Sequence, residues 1–266
     1  MQPDTEVAEI LMAHLAEIGF EMFEENEDGL KAYVPAQEFT TDMEANLIPE
    51  YLQADIQFSK KFIKHENWNA VWESNFEPEL IANRIYVRAD FHPAQPQYEH
   101  EIIIQPKMAF GTGHHPTTAL VMEQMLSLDF KNKAVLDMGC GTGILAVLAD
   151  QLGATSILAI DNDEHAVINA KENAEKNNCN KISVLQGEAA TPGNHKFDVV
   201  IANINRNIIL NDLPLYVGNL HTGGDLLLSG FYEKDLKMIQ ECSEKNNLSF
   251  QKQLVKNEWC CAYFKK

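Results

Sequence analysis

The chain has 266 residues, 45% of them hydrophobic and 23% charged, with a formal net charge of −18. That is an ordinary globular composition, sized for one large domain or a medium domain with a small partner. No apolar run approaches the roughly 18 residues of a membrane helix, and no basic-then-apolar start marks a secretory leader. The acidic balance repels nucleic-acid phosphates and favours a cationic substrate.

In chain order, Ile10, Leu11, Leu15 and Ile18 recur at helical spacing and Gly19 closes that helix. Strands are predicted over 20–25 and 30–34 around the turn Glu27-Asp28-Gly29, then a helix over 41–52 and a strand over 56–63. The resulting α-β-β-α-β order is a small α+β unit over 1–64, ferredoxin-like but lacking its first strand, because only Met1-Gln2-Pro3 precedes the helix. Asn67-Trp68-Asn69-Ala70-Val71-Trp72 reads as an amphipathic linker helix within 65–76 whose tryptophans pack between domains.

From Ile85 onward, strands and helices alternate regularly through 77–266. Strands are predicted at 85–87, 102–104, 134–137, 156–161, 183–186, 199–202, 225–229, 250–255 and 260–264. Helices fall at 117–126, 143–151, 164–177, 208–220 and 233–246. This is the α/β pattern of a Rossmann-like, mostly parallel sheet covered on both faces. The last two strands have only the turn Lys256-Asn257 between them, so the final strand enters antiparallel. The five cysteines (Cys140, Cys179, Cys242, Cys260 and Cys261) lack metal-ligand spacing; they are expected to be reduced thiols of a cytoplasmic protein that holds no metal.

Val135 to Gly143 reads V-L-D-M-G-C-G-T-G, an apolar run that breaks into alternating glycines. Such a strand-loop-helix lets backbone approach a ligand closely and presents free helix N–H groups to an anion. A dinucleotide fingerprint would place the third glycine at 144, where Ile144 stands. The D-x-G-x-G-x-G form instead resembles the first motif of class I S-adenosylmethionine-dependent methyltransferases. Asp161, ending the next apolar run, suits the two ribose hydroxyls, and Glu188 is a candidate for the adenine amino group. Asp137 stands two residues before the first glycine, where it could anchor the region near the cofactor's ammonium group.

Upstream, Ala109-Phe110-Gly111-Thr112-Gly113-His114-His115-Pro116-Thr117-Thr118 places Pro116 in a helix's first turn, with Thr117 and Thr118 at the N-terminus that would meet the cofactor's carboxylate. Together with D-M-G-C-G-T-G, Ala202-Asn203-Ile204, the tryptophan-bearing connector and Glu258-Trp259-Cys260, this decapeptide resembles the ribosomal protein L11 methyltransferase family. The resemblance covers most of the chain. It implies a small substrate-recognition domain, a linker helix and a class I methyltransferase domain. It also implies methylation of lysine ε-amines and the N-terminal α-amine of ribosomal protein L11. The family's cofactor contacts fall on Thr118, Gly139, Asp161 and Asn203, and Gly141 joins them from the same loop. The family often has Thr where His114 stands.

Asn203 follows the fourth strand of the alternation, where its side-chain oxygen can align an incoming amine, and it is the candidate catalytic residue. Asn203-Ile204-Asn205-Arg206 lacks the N-P-P-aromatic pattern of enzymes that act on planar amides or bases. His114 and His115 are candidate proton acceptors, and Phe110 a candidate cover for the cofactor. A monomer without direct nucleic-acid or membrane contact is expected. The alternatives are a class I methyltransferase acting on RNA or another protein, with Lys60, Lys61 and Lys64 the only local basic cluster, and a binding module that has lost turnover.

Overall fold

The computed structural model describes residues 5–26, 29–49, 52, 56–62, 76–105 and 111–266. The chain divides into two compact units, Met1–Asn67 and Trp68–Lys266. The expected linker helix over 65–76 lies outside the described residues except for Phe76.

In the first unit, α1 (Thr5–Glu17) is followed by an antiparallel hairpin of β1 (Met22–Asn26) and β2 (Gly29–Tyr33), then α2 (Thr41–Ala45). Two expectations fail here. The helix predicted over 41–52 stops after one turn: Thr40 caps its start, accepting from the Met43 N–H, and the Asn46 side chain donates back to the Asp42 carbonyl and closes it. Residues 56–62 form no strand. Among the described residues nothing covers their alternating apolar pattern, and Phe58 and Phe62 are exposed. Lys60 is held instead by Glu44 of α2 and lies over the Phe39 ring. The described part of this unit therefore has a two-stranded sheet.

The second unit carries a seven-stranded sheet in the order β11-β12-β10-β9-β6-β7-β8. These are β6 (Ala134–Met138), β7 (Ser156–Asp161), β8 (Ile182–Gln186), β9 (Phe197–Asn203), β10 (Leu220–Tyr232), β11 (Ser249–Lys256) and β12 (Trp259–Lys265). Pairing is parallel from β8 through β10, and β12 enters antiparallel between β10 and β11. The period-2 alternation of the strands sorts the core into two layers. Val135, Ile157, Val199 and Ile201 face α3 (Pro116–Met125), α4 (Ile144–Gln151) and α5 (Glu164–Lys176). Leu136, Ile160, Val200 and Leu228 face α6 (Arg206–Asn219) and α7 (Leu236–Lys245). Among the described residues no helix is long and apolar enough to cross a membrane.

The strands expected at 85–87 and 102–104 do not join this sheet. They are β4 (Ile85–Arg88) and β5 (His100–Ile103) of a separate three-stranded sheet with β3 (Glu79–Ile81). β3 is not signalled in the sequence: its turn to β4 puts both Ala82 and Asn83 at positive φ (50° and 55°), and alanine is an unusual occupant of that conformation. β10 runs on both sides of its predicted span: before it, Gly223 and Gly224 exchange backbone hydrogen bonds with Lys266, and after it Phe231 and Tyr232 pair with Cys260 and Trp259.

At the end of the sheet away from the glycine loop, the buried Asp225 of β10 accepts from Lys133, Tyr263 and Lys265 at 2.7–3.0 Å. Burial alone would raise its pKa, but the hydrogen bonds from Lys265, Tyr263 and Lys133 outweigh it and hold the carboxyl below the usual range. A carboxyl whose folded pKa lies below its unfolded value stabilises the fold above the unfolded pKa, about 3.9, and loses that contribution as pH falls through the folded value. Asp225→Ala is therefore expected to destabilise the chain by about 2 kcal/mol at pH 7. The gap from wild type should shrink in melts taken below about pH 4; a gap independent of pH would assign the loss to packing.

Candidate active site

The carboxyl ends of β6, β7 and β9 converge on the loop 139–143. After Met138 the backbone folds over the end of β7: the N–H groups of Gly139 and Cys140 both donate to the Ile160 carbonyl, at 2.8 and 3.0 Å. Gly139 has φ +70°, and a Cβ there would stand 2.2 Å from Ile204 Cγ2. Only glycine fits that conformation and that gap. Gly230 does the same on the far side, where a Cβ would stand 2.1 Å from the Ile204 carbonyl oxygen. Ile204 is thus wedged between two glycine positions, with its own N–H donating to Ser229.

Asp161 ends β7 with its carboxylate on two backbone donors. Oδ2 accepts from the Gly141 N–H at 2.8 Å and Oδ1 from the Asp163 N–H at 3.0 Å. A carboxylate offers about four lone-pair sites, so acceptor capacity is left for a diol. The Asp161 carbonyl accepts from Gly187, which precedes Glu188. Glu188 lies exposed in the loop after β8.

Asp137 is fully buried in β6 and no hydrogen bond closes on either carboxyl oxygen. Burial pushes its pKa up to about 7; the nearby Ala146 N–H at the start of α4 opposes this and the Asp161 charge adds to it. Asn203, at the end of β9, is also buried. Its Nδ2 donates to Thr118 Oγ1 at 3.3 Å, while Oδ1 has no partner. The amide is fixed at one end and open at the other. Gly111, Thr118, Gly139, Cys140 and Asn203 line one small pocket there.

Thr118 is buried in the first turn of α3, behind Pro116. The two histidines are engaged in structural work. His115 caps α3, accepting from the Thr117 N–H, with Nδ1 2.7 Å from Thr117 Oγ1 and its ring against Trp259; burial lowers its pKa. His114 bonds the Glu77 carbonyl and packs on Phe76. Phe110 lies outside the described residues. Thr118, Gly139 and Asn203 therefore share one pocket, and Gly141 connects them to Asp161. Ser229 and Gly230 were not singled out from the sequence, although a glycine inside a long strand signals close backbone approach.

Three comparisons bear on this geometry. The model of the family described as ribosomal protein L11 methyltransferase (PrmA) matches residues 7–266. The chain belongs to that family. It is 44% identical over 267 residues to the "Ribosomal protein L11 methyltransferase" of Bacteroides thetaiotaomicron, covering 98% of this chain and 95% of the relative. It is 46% identical over 263 residues to the protein of the same name from Porphyromonas gingivalis, covering 96% and 90%. A crystal structure of a ribosomal protein L11 methylase from Lactobacillus delbrueckii subsp. bulgaricus superposes with a TM-score of 0.67 at 27% identity, over 71% of this chain and 98% of that one. The chain is a class I methyltransferase, its mostly parallel sheet with an antiparallel last strand is the expected one, and its cofactor is S-adenosylmethionine. The residues suit that cofactor: the Asp161 carboxylate, pinned by the Gly141 and Asp163 N–H groups, keeps acceptor capacity, and the buried Asn203 Oδ1 in the neighbouring pocket has no partner.

Asp161→Ala removes two hydrogen bonds to a charged acceptor and frees the Gly141 N–H. Calorimetry on the folded variant is expected to show S-adenosylmethionine affinity weakened about 100-fold. Unchanged affinity would remove Asp161 from the cofactor site.

Proposed function

We propose that the chain transfers methyl groups to amino groups of ribosomal protein L11, both lysine ε-amines and the N-terminal α-amine. The observation that carries this reading is the unpartnered, buried Oδ1 of Asn203 beside the glycine loop. The names of the relatives support the choice of substrate. S-adenosylmethionine supplies the methyl group in electrophilic form, on a sulfonium that needs no protonation to leave. Gly139 and Gly141 offer it bare backbone, Asp161 accepts from its ribose hydroxyls, and Thr118 stands at the helix start suited to its carboxylate.

The chain's own task is alignment. A free lysine amine titrates near about 10.4, so it arrives charged and must lose a proton before it can attack. Desolvation at a buried rim lowers that value. Asn203 Oδ1 accepts one N–H of the neutral amine and so directs the nitrogen lone pair. Thr118 holds the other end of the Asn203 amide and keeps Oδ1 turned inward. The net charge of −18 favours encounter with a basic protein and disfavours nucleic acid. The small N-terminal unit is assigned to substrate recognition, and the working form to a cytoplasmic monomer.

Two outcomes test this. With labelled cofactor and whole ribosomes, L11 should gain mass in single-methyl steps while isolated RNA stays unlabelled; label in RNA instead overturns the substrate assignment. Asn203→Ala should lower turnover about 100-fold while raising the cofactor Kd only a few-fold. Normal turnover in that variant takes Asn203 out of the mechanism.

A further inference from the structure

The outer edge of β5 is paired with side chains rather than with another strand. The Glu101 carbonyl accepts from Gln151 of α4 at 2.8 Å. Two residues on, Asn177, at the end of α5, serves both backbone groups of Ile103: its Oδ1 accepts from the N–H at 2.8 Å and its Nδ2 donates to the carbonyl at 2.7 Å. Two further on, Gln105 donates its N–H to Asn173 Oδ1 at 2.8 Å, and its carbonyl accepts from Asn169 Nδ2 at 3.4 Å. Alternate residues of a strand present their peptide groups to one side. Asparagines at i, i+4 and i+8 stack along one helix face. Each amide carries a donor and an acceptor, as a peptide does, so α5 acts as the missing neighbour of β5.

Asn173 does something the other two do not. It is fully buried, and its Nδ2 also donates to the Thr142 carbonyl inside the glycine loop at 2.8 Å. Thr142, itself fully buried, donates its hydroxyl to the Gly111 carbonyl at 2.5 Å. Ala170, one turn before Asn173, allows the approach: a Cβ added to Gly143 would stand 3.1 Å from the Ala170 Cβ. Asn177 serves only β5 and its own helix, whereas Asn173 joins β5 to the glycine loop. A buried amide shared between Gln105 and the Thr142 carbonyl fixes the backbone of the glycine loop as well, and the Thr142 hydroxyl ties the same residue to Gly111, so the loop is held on two sides through Thr142.

We propose that Asn173 and Thr142 are positioning residues for cofactor binding, a two-step relay that sets the glycine loop against both β5 and Gly111. The inference rests on the reading that this loop holds the cofactor. Neither residue touches the reacting atoms; both act through the backbone of the loop.

The test is S-adenosylmethionine binding by calorimetry, with thermal melts, on Asn173→Ala, Asn177→Ala, Thr142→Val, Thr142→Ser and Asp161→Ala. Asn173→Ala and Thr142→Val should each raise Kd about tenfold. Thr142→Ser, which keeps the hydroxyl, should return Kd to within about twofold of wild type. Asn177→Ala loses the two bonds to Ile103; it should lower the melting temperature and leave Kd within about twofold. If Asn173→Ala does not fold, the valine-serine pair at 142 decides alone. Unchanged Kd in Thr142→Val, or an Asn177→Ala loss equal to that of Asn173→Ala, overturns the relay. If Asp161→Ala also keeps full affinity, the placement of the cofactor itself has failed; if it weakens binding while the relay variants do not, only the relay is lost.

Discussion

The turn over the end of β7 is the constraint from which the rest of the site follows. Two successive N–H groups, of Gly139 and Cys140, share the Ile160 carbonyl, and the next, of Gly141, goes to Asp161. With three consecutive donors committed, the loop cannot relax outward. It is forced into left-handed conformations at Gly139, Gly141 and Gly143, which side-chain-bearing residues adopt only at a cost. Asp161 thereby shapes the loop as well as facing the ligand, and its worth to affinity has both origins.

A loop fixed so firmly lets the surrounding strands end in polar groups that are not satisfied by protein. Asp137 and Asn203 both sit buried near the carboxyl ends of their strands with open acceptor atoms. Burying such groups unpaired costs about 1–3 kcal/mol each, and in a native protein that calls for an explanation. The sheet can tolerate the loss because close-packed apolar layers cover both its faces, from Val135 and Ile201 on one side to Leu136 and Val200 on the other. Asn203 is held by Thr118 through its Nδ2, which leaves Oδ1 as the acceptor for an incoming N–H.

The parts legible from the sequence are those where a local rule and the tertiary environment agree. The doubly covered strands β6, β7 and β9 read as continuous apolar runs, and the glycine spacing separated a mononucleoside-type loop from a dinucleotide one. What failed was pairing. Periodicity reports which face of a segment is apolar and does not report what covers it. The alternation at 56–62 was real, yet its phenylalanines stay exposed and no strand forms. Ile85 and Ile102 were rightly read as strand residues but assigned to the wrong sheet, since nothing local tells a three-stranded sheet edged by a helix from a further strand of the main one. The asparagine column 169, 173 and 177 was in plain view as a helical i, i+4, i+8 repeat. Asparagine on a helix reads as a solvent-facing side chain until the backbone it serves as a partner is known.

The glycine loop is consequently gripped from two sides by unlike means. From β9, Ile204 fills the gap that Gly139 leaves, an apolar contact that tolerates no added atom. From α5, Asn173 reaches the Thr142 carbonyl through a hydrogen bond that fixes direction as well as distance. Asn203 immediately precedes Ile204, so the residue that aligns the amine and the residue that wedges the loop share one peptide bond. A displacement of the loop would press on Ile204 and carry Asn203 with it, and Gly230 behind leaves no slack to absorb the shift. Cofactor affinity and nucleophile alignment are in this way properties of a single packed body, and a substitution that loosens either grip has to affect both.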